Sequence, residues 1–261
     1  MFQHRSDNCP GTRVFLHWFL LSFNAGCINA GGILAAGRFV SHVTGFATLF
    51  GVDVAHGEYD AAVGILSVPV SFLIGATTAG LLIDRQTHLG RKPHYDYVML
   101  MSATCLGLAA MAGTTNILPG FGQTFHLKST YLLLILLCLA SGLQNAAITS
   151  SSGSSVRTTH LTGITTDLGL GLARRLTLKG KDPRAKTENE ANLLRIGTIL
   201  SFALGSAVAA WLFLRVAYLG FSLPCAIALY SAAHGRILKM NFHRYASAKW
   251  LKTKSRFRTL G

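Results

Sequence analysis

The sequence predicts an all-α polytopic membrane protein whose six transmembrane helices form two inverted three-helix repeats. Three observations predict this class: an apolar composition, six apolar runs of membrane-crossing length, and motifs that recur in both halves. Hydrophobic residues make up 50% of the 261 residues and charged residues only 13%. Soluble domains carry about 25% charged residues, so this chain lacks the polar surface that a water-soluble globular protein needs.

Six apolar runs approach the roughly 20 residues that a helix needs to cross a bilayer. Arg5 and Arg13 precede the first run, and "NAGC" at 24–27 resembles a lipoprotein cleavage site, so a signal peptide is the alternative interpretation there. Asn24 stands where such sites prefer Leu, and five more runs follow, so we interpret the first run as a retained helix. Only Arg215 separates the last two runs, which leaves their boundary the least defined. The runs are Phe15–Gly37, Ala61–Ile83, Tyr95–Leu118, Thr130–Thr149, Leu193–Leu214 and Val216–Ala233.

The positions of Lys and Arg predict the orientation. Twenty of the 24 basic residues lie before the first run, between the second and third, between the fourth and fifth, or after the sixth. The alternate connections hold only Arg38, Lys128 and Arg215. The positive-inside rule then places both termini in the cytoplasm.

The formal net charge of +14 raises the question of a nucleic-acid partner. Because the charge follows the predicted topology, we interpret it as an orientation signal and expect no nucleic-acid binding. The basic tail "KWLKTKSRFR" at 249–258 is expected to contact anionic lipids.

The predicted organisation follows from these runs. A cytoplasmic N-terminal tail covers 1–14, and the first repeat covers 15–118. A connecting loop at 119–129 precedes the second repeat at 130–235, which includes a cytoplasmic loop at about 171–192. The basic cytoplasmic tail covers 236–261. Within the loop, Thr187–Glu190 is a candidate capping box for the fifth helix.

No cofactor or metal is expected. The chain has five cysteines, four of them within the apolar runs, and no C-x-x-C pair. Buried thiols in such runs usually behave as small apolar residues. The sequence also contains no G-x-x-x-x-G-K-[ST] loop for ATP.

The internal repeat rests on three blocks that recur in the same order. "NAGCINA" at 24–30 aligns with "ASGLQNA" at 140–146, and "HVTG" at 42–45 aligns with "HLTG" at 160–163. "SFLIGATTAGLL" at 71–82 aligns with "SFALGSAVAAWL" at 201–212. Each copy holds three runs, so the second copy enters the membrane in the opposite sense, with its H-x-T-G on the opposite side. Secondary transporters built this way place their sites where the two halves meet.

The paired H-x-T-G motif is the candidate site. Gly permits a tight backbone and Thr can cap a helix start, so we expect short amphipathic or re-entrant helices to begin near each motif. A helix N-terminus can bind an anionic group, and His can carry charge near physiological pH. Irregular backbone at membrane depth survives only when buried in protein or lining a wet cavity. The candidate substrate-binding residues are Asn29, His42, Thr44, Gly45, Asn145, Arg157, His160, Thr162, Gly163 and Asp167.

A purely structural interpretation stays open. Asn29 and Asn145 could hydrogen-bond between helices, the T-G pairs could serve only as caps and turns, and both histidines could sit at a wet interface. A further set of glycines is expected to pack helices together: Gly64, Gly75, Gly80, Gly107, Gly113, Gly197 and Gly205.

Two stretches carry a family resemblance: "AGCINAGGILAAGRFVSHVTG" at 25–45 and "GLQNAAITSSSGSSVRTTHLTGITTDLG" at 142–169. On these motifs the chain resembles the YoaK-like bacterial integral membrane proteins, a domain-of-unknown-function family. The resemblance implies an inner-membrane protein of six or seven helices, with no assigned substrate. Asn29 stands where Asp is usual, and Phe46 where Asn is usual. A family site that used that carboxylate for protons or cations would be altered here.

The favoured function is a secondary transporter or channel-like permease for a small polar or anionic solute. One alternative is a non-transporting scaffold that binds lipid or a partner through 171–192 and the basic tail. A second is an intramembrane serine hydrolase, in which His234 would activate Ser141. We do not expect an enzyme, since the repeat already accounts for Ser141–Gly142 as the counterpart of Ala25–Gly26.

Overall fold

The computed structural model describes residues 12–123, 127–154, 156–178 and 182–234. The predicted lipid-binding tail at 236–261 lies outside them. The described residues form helices and turns without strands, which confirms the all-α class. The helices are α1 (Thr12–Ala36), α2 (Val43–Ala55), α3 (Tyr59–Leu82), α4 (Asp84–His88), α5 (Tyr95–Thr114), α6 (Leu127–Ser151), α7 (Leu161–Thr177) and α8 (Pro183–Val216). A 3-10 turn (Ala217–Phe221) and a helical stretch at 222–234, here α9, complete the described chain.

Several helices are suited to a membrane. Within the described residues, five helical segments are long and apolar enough to cross one: Thr12–Ala36, Tyr59–His88, Tyr95–Thr114, Thr130–Ser151 and Arg184–His234. The last segment contains the fifth and sixth predicted runs, and the backbone turns between them at Ala217, where φ is +48°. The membrane class is thus supported, and the number of six spans stays a prediction.

Helices α1 and α8 pack in parallel through glycine. A methyl group added at Gly26 would collide with the carbonyl oxygen of Phe202, and one at Gly205 with the carbonyl oxygen of Phe23. Nearer the start of both helices, Gly197 lies against the Phe19 ring. Glycines that allow backbones to approach this closely are typical of helix pairs in membranes.

Helices α3 and α6 pack in the same way. A methyl group added at Gly142 would collide with the carbonyl oxygen of Phe72, and one at Gly75 with the carbonyl oxygen of Leu139. Gly64 lies under the Tyr131 ring. The packing role predicted for Gly64, Gly75, Gly197 and Gly205 is therefore confirmed, as it is for Gly113, which lies against Tyr218; at Gly80 an added methyl group would meet nothing within 4 Å.

A buried polar pair joins α1 to α6. The Asn24 amide donates to Gln144 Oε1 over 2.7 Å, and Gln144 Nε2 donates to the Leu21 carbonyl over 2.9 Å. Asn24 is fully buried, Gln144 is 1% exposed, and Asn24 Oδ1 has no hydrogen-bond partner among the described residues. Hydrogen bonds of this kind between side chains of neighbouring helices hold membrane helices in register.

Much of the loop predicted at 171–192 is helical instead. Helix α7 continues to Thr177, and α8 already begins at Pro183. Asp182 is the N-cap of α8, and its carboxylate accepts from the Arg184 amide over 2.8 Å. Pro takes the first helical position because its missing N–H costs nothing there. The predicted capping box at Thr187–Glu190 was wrong, since these residues lie inside the helix.

Candidate functional site

The segment after α1 folds back along that helix. Asn29 Oδ1 accepts from the Val40 amide over 3.1 Å and from the Ser41 amide and hydroxyl over 3.4 and 3.3 Å. Because Asn29 lies seven residues before Ala36, the end of α1, the chain returns by about 10 Å at 1.5 Å per residue. Cys138 on α6 donates its thiol to the Val40 carbonyl over 2.9 Å. The returning segment is thus held between α1 and α6.

The segment after α6 folds back in the same way. Asn145 Oδ1 accepts from the Thr158 hydroxyl over 3.3 Å and from the Thr159 amide over 3.4 Å. Asn145 lies six residues before Ser151, where α6 ends. Thr158 is fully buried, so the return brings the second segment into the protein interior as well.

These contacts revise the roles of the two asparagines. Their side-chain oxygens hold the returning segments, so the interpretation that Asn29 and Asn145 bond between helices was wrong. The helix-to-helix bond is made by Asn24 and Gln144. A carboxylate could accept the same hydrogen bonds as the Asn29 amide oxygen, so Asp at this position would retain the acceptor.

A short helix starts directly after each returning segment, which confirms the prediction of helix starts at the motifs. His42 is the N-cap of α2 and His160 the N-cap of α7, with similar backbone angles (φ −102°, ψ 70° and φ −104°, ψ 51°). Neither side chain makes a capping hydrogen bond. Thr44 and Thr162 follow inside the helices, so the expectation that these threonines cap them was wrong.

The glycine of each motif explains the H-x-T-G spacing. Gly45 and Gly163 lie three residues after the N-cap, where the His ring folds over the first helical turn. A methyl group added at Gly45 would lie 2.9 Å from His42 Nδ1, and one at Gly163 would lie 3.2 Å from His160 Nδ1. Both distances are tighter than ordinary van der Waals contact, so a larger residue would push the imidazole away.

The two motifs line one cavity of about 710 Å³, which we name the Arg157 cavity. The sequence prediction placed the two motifs on opposite sides of the membrane, and the folded-back segments are what bring them together. The cavity is lined by Ser41, His42, Val43, Thr44, Phe72, Ala76, Gly80, Asp84, Asn145, Ala146, Thr149, Ser150, Arg157, Thr159, His160, Leu161, Thr162, Gly163 and Thr166.

Seven of the ten predicted site residues line this cavity: His42, Thr44, Asn145, Arg157, His160, Thr162 and Gly163. Gly45 lines a separate cavity of about 200 Å³, named here the Arg38 cavity. Asn29 and Asp167 line neither cavity.

Arg157 and Asp84 are the charged side chains at the larger cavity. Arg157 Nη1 lies 3.4 Å from His160 Nδ1. In the other motif the Phe39 ring meets the His42 ring edge-on, with centroids 6.1 Å apart. The second motif therefore presents a cation where the first presents an aromatic ring.

Sequence reasoning missed several residues at the site. Ser41 and Thr159 each precede the motif histidine, so alignment of the two motifs contained the signal that identifies them. Asp84 is the first residue of α4, directly after α3, and Thr149 and Ser150 come from the end of α6. Nothing in the local sequence marks these three residues, because helix packing alone brings them to the cavity.

Ser141 and His234, the residues of the serine-hydrolase alternative, line neither cavity. Within the described ranges, no group of three or more His, Cys, Asp or Glu side chains could hold a metal ion. Ser141 is buried at 3% exposure. The His234 ring stacks on Tyr230, with centroids 4.1 Å apart.

Comparison with known proteins gives one match. Residues 17–234 match a family described as a protein of unknown function, DUF1275. The chain belongs to the DUF1275 family. The resemblance to YoaK-like membrane proteins is consistent with this assignment. No curated protein and no solved structure matches the chain.

Proposed function

We propose that this DUF1275 protein is a secondary transporter or channel-like permease for a small polar or anionic solute. In the proposed arrangement it lies in a bacterial inner membrane with both termini in the cytoplasm. One observation carries the proposal: the two H-x-T-G segments, 118 residues apart in the chain, line the same cavity. A solute held there would contact both halves of the protein.

Equivalent contacts in the two halves support an inverted repeat. Gly26 meets the backbone at Phe202 and Ser206, and its counterpart Gly142 meets the backbone at Phe72 and Ala76. Under the sequence alignment, Phe202 corresponds to Phe72 and Ser206 to Ala76. Helix α1 of the first half therefore packs on α8 of the second half, and α6 of the second half packs on α3 of the first. A two-fold relation requires this exchange.

The asparagine contacts follow the same relation. Asn29 holds Val40 and Ser41, and the equivalent Asn145 holds Thr158 and Thr159. Each folded-back segment is held by an equivalent asparagine and is followed by a short helix. Secondary transporters form their sites from discontinuous helices of this kind at the repeat interface.

The lining chemistry favours a polar or anionic solute. Helices α2 and α7 begin at the cavity, and a helix N-terminus presents free N–H groups and the positive end of its dipole. Arg157 adds a cation, threonine and serine hydroxyls add neutral donors and acceptors, and Asp84 is the one carboxylate in the described lining. The volume of about 710 Å³ lies within the usual range for small-molecule sites, about 300–1,000 Å³.

Solute flux in proteoliposomes tests the proposal. Purified protein would be reconstituted and exposed to gradients of potassium formate, potassium nitrate, potassium phosphate, urea and glycerol, with volume change followed by stopped-flow light scattering. The His42→Ala/His160→Ala variant should lose the protein-dependent flux, because both histidines line the cavity. The control, His56→Ala/His88→Ala, changes two exposed histidines away from it and should keep the flux.

Two results would contradict the proposal. Flux that is equal in the parent and in the His42→Ala/His160→Ala variant would remove the motif from the transport path. Absence of flux for every solute, together with co-purification of a stable partner, would favour the scaffold alternative.

A further inference from the structure

The two cavities share part of their lining under the repeat alignment. The Arg38 cavity is lined by Ile33, Gly37, Arg38, Phe39, His42, Gly45, Phe46 and Leu49. Four of these have counterparts at the Arg157 cavity under the repeat alignment: Thr149 for Ile33, Arg157 for Phe39, His160 for His42 and Gly163 for Gly45. The part of the Arg157 cavity around His160 is thus equivalent to the Arg38 cavity around His42, and residues of the first half complete the larger cavity.

Their sizes differ although their frameworks agree. The Arg157 cavity measures about 710 Å³ and the Arg38 cavity about 200 Å³. His42 lines both, so its side chain forms part of the wall that separates them. On the Arg38 side, the Phe39 ring lies edge-on against this histidine.

We infer that Phe39 is a gating residue that closes the Arg38 cavity against His42, and that the structure is one end state of an alternating-access cycle. This inference rests on the proposed function. In this state the Arg157 cavity is wide and the Arg38 cavity is narrow. In the opposite end state the Arg38 cavity is wide, and the segment around Arg157 and His160 narrows the Arg157 cavity.

The different residues at the two equivalent positions give the physical reason. Phe39 presents an apolar ring edge-on to the imidazole, a contact that favours keeping the two side chains together. Arg157 reaches His160 through a guanidinium nitrogen at 3.4 Å, and a guanidinium remains charged and hydrated at physiological pH. The Phe39–His42 contact therefore favours a closed Arg38 cavity. The Arg157–His160 contact favours an open, hydrated Arg157 cavity.

Phe39 is suited to a test that does not disturb folding, because 48% of its surface is exposed. Ile33→Cys places a reporter in the Arg38 cavity and Thr149→Cys places one in the Arg157 cavity. Each would be introduced into the parent chain, into the Phe39→Ala variant and into a control. Labelling by a membrane-impermeant maleimide would be measured from each side of reconstituted vesicles, after subtraction of the parent cysteines, of which Cys27, Cys105 and Cys138 are buried.

Tyr97→Ala is the matched control. Tyr97 makes the same kind of edge-on contact with a histidine, His94, with centroids 5.3 Å apart, and it lines neither cavity. The Tyr97→Ala substitution removes an aromatic ring that contacts a histidine, and it leaves Phe39 and His42 unchanged.

A reciprocal change is expected. In the parent, Thr149→Cys should label faster than Ile33→Cys, and from the opposite side of the membrane. Phe39→Ala should speed labelling at Ile33→Cys and slow it at Thr149→Cys by about threefold to tenfold, the population shift that loss of one aromatic contact produces. Tyr97→Ala should change neither rate.

Other outcomes overturn the inference. Labelling that rises at both reporters, changes at one only or changes at neither would show that the cavities do not exchange. Flux without reciprocity would leave the proposed function standing as a channel-like permease. Reciprocity without flux of any tested solute would refute the transport proposal and leave the two-state exchange in place.

Discussion

The two H-x-T-G segments share a backbone framework and differ in the side chains around it. In both, an asparagine oxygen holds the returning chain, a histidine is the N-cap, and a threonine hydroxyl bonds the carbonyl four residues earlier: Thr48 to Thr44 and Thr166 to Thr162, each over 3.0 Å. Phe39 lies three residues before His42, and Arg157 lies three residues before His160. The backbone contacts are therefore common to both segments, while the residue beside each histidine differs.

The two short helices also differ in how they are held. Helix α2 packs on α3 and buries Phe46 at 3% exposure. Helix α7 is held to α8 by polar contacts of two arginines: Arg174 lies 3.7 Å from Glu188, and Arg175 donates to Asn189 over 2.9 Å. Charged side chains are costly at the centre of a bilayer, so contacts of this kind suit the membrane surface better than its apolar interior. The charged contact lies in the part predicted to face the cytoplasm.

The largest expected effect tests whether the two helix crossings are equivalent. Gly26→Ala and Gly142→Ala each place a methyl group against a backbone carbonyl oxygen of the neighbouring helix. We expect each substitution to lower the free energy of unfolding by about 3 kcal/mol, the upper part of the range for overpacking. Thermal unfolding in detergent measures the loss.

Gly51→Ala and Gly169→Ala are the matched controls for these crossings, since an added methyl group meets nothing within 4 Å there. They should leave stability unchanged or raise it by about 0.5–1 kcal/mol through helix propensity. A large loss at Gly26 with none at Gly142 would break the equivalence of the two copies.

A smaller effect is expected at the asparagine anchors. Asn29→Ala leaves the Val40 and Ser41 amides without their acceptor, and Asn145→Ala leaves the Thr159 amide without its own. We expect losses of about 1–3 kcal/mol, larger at Asn29, because unpaired buried amides carry their full desolvation cost. Hydrogen exchange at residues 38–43 and 156–161 should rise in the corresponding variant.

Asn29→Asp sharpens this measurement because a carboxylate retains the acceptor. It should keep most of the exchange protection at residues 38–43. Equal deprotection by Asn29→Asp and Asn29→Ala would contradict the anchoring role.

The smallest effect is expected at the motif threonines. Thr44 and Thr162 are exposed and lie inside the helices that follow the N-cap histidines. Thr44→Ala and Thr162→Ala should therefore change stability by less than about 0.5 kcal/mol, as exposed substitutions usually do. Thermal unfolding measures the change. A loss of stability near 1 kcal/mol, which is typical of a removed N-cap side chain, would show that the threonines do cap the helices.

The sequence predicted the helical class and the helix starts because apolar runs and the H-x-T-G pattern are local signals. Periodicity could not predict that residues 37–42 fold back along α1, since that return depends on Asn29 and on Cys138 from α6. The extent of α8 was misjudged because Asp182 caps it from within an apparently loop-like charged stretch. Asp84 reaches the cavity only through the packing of α3 on α6, which no single segment of sequence encodes.

The central claim is that both H-x-T-G segments meet at one cavity, and cross-linking of His42→Cys to His160→Cys tests it most directly. A cavity of 710 Å³ corresponds to a sphere about 11 Å across, whereas opposite faces of the hydrocarbon core lie about 30 Å apart. A bis-maleimide whose reach matches the cavity should join the two cysteines within one chain, and mixed single variants should give no such product. Labelling of both single cysteines without a cross-link in the double variant would contradict the account.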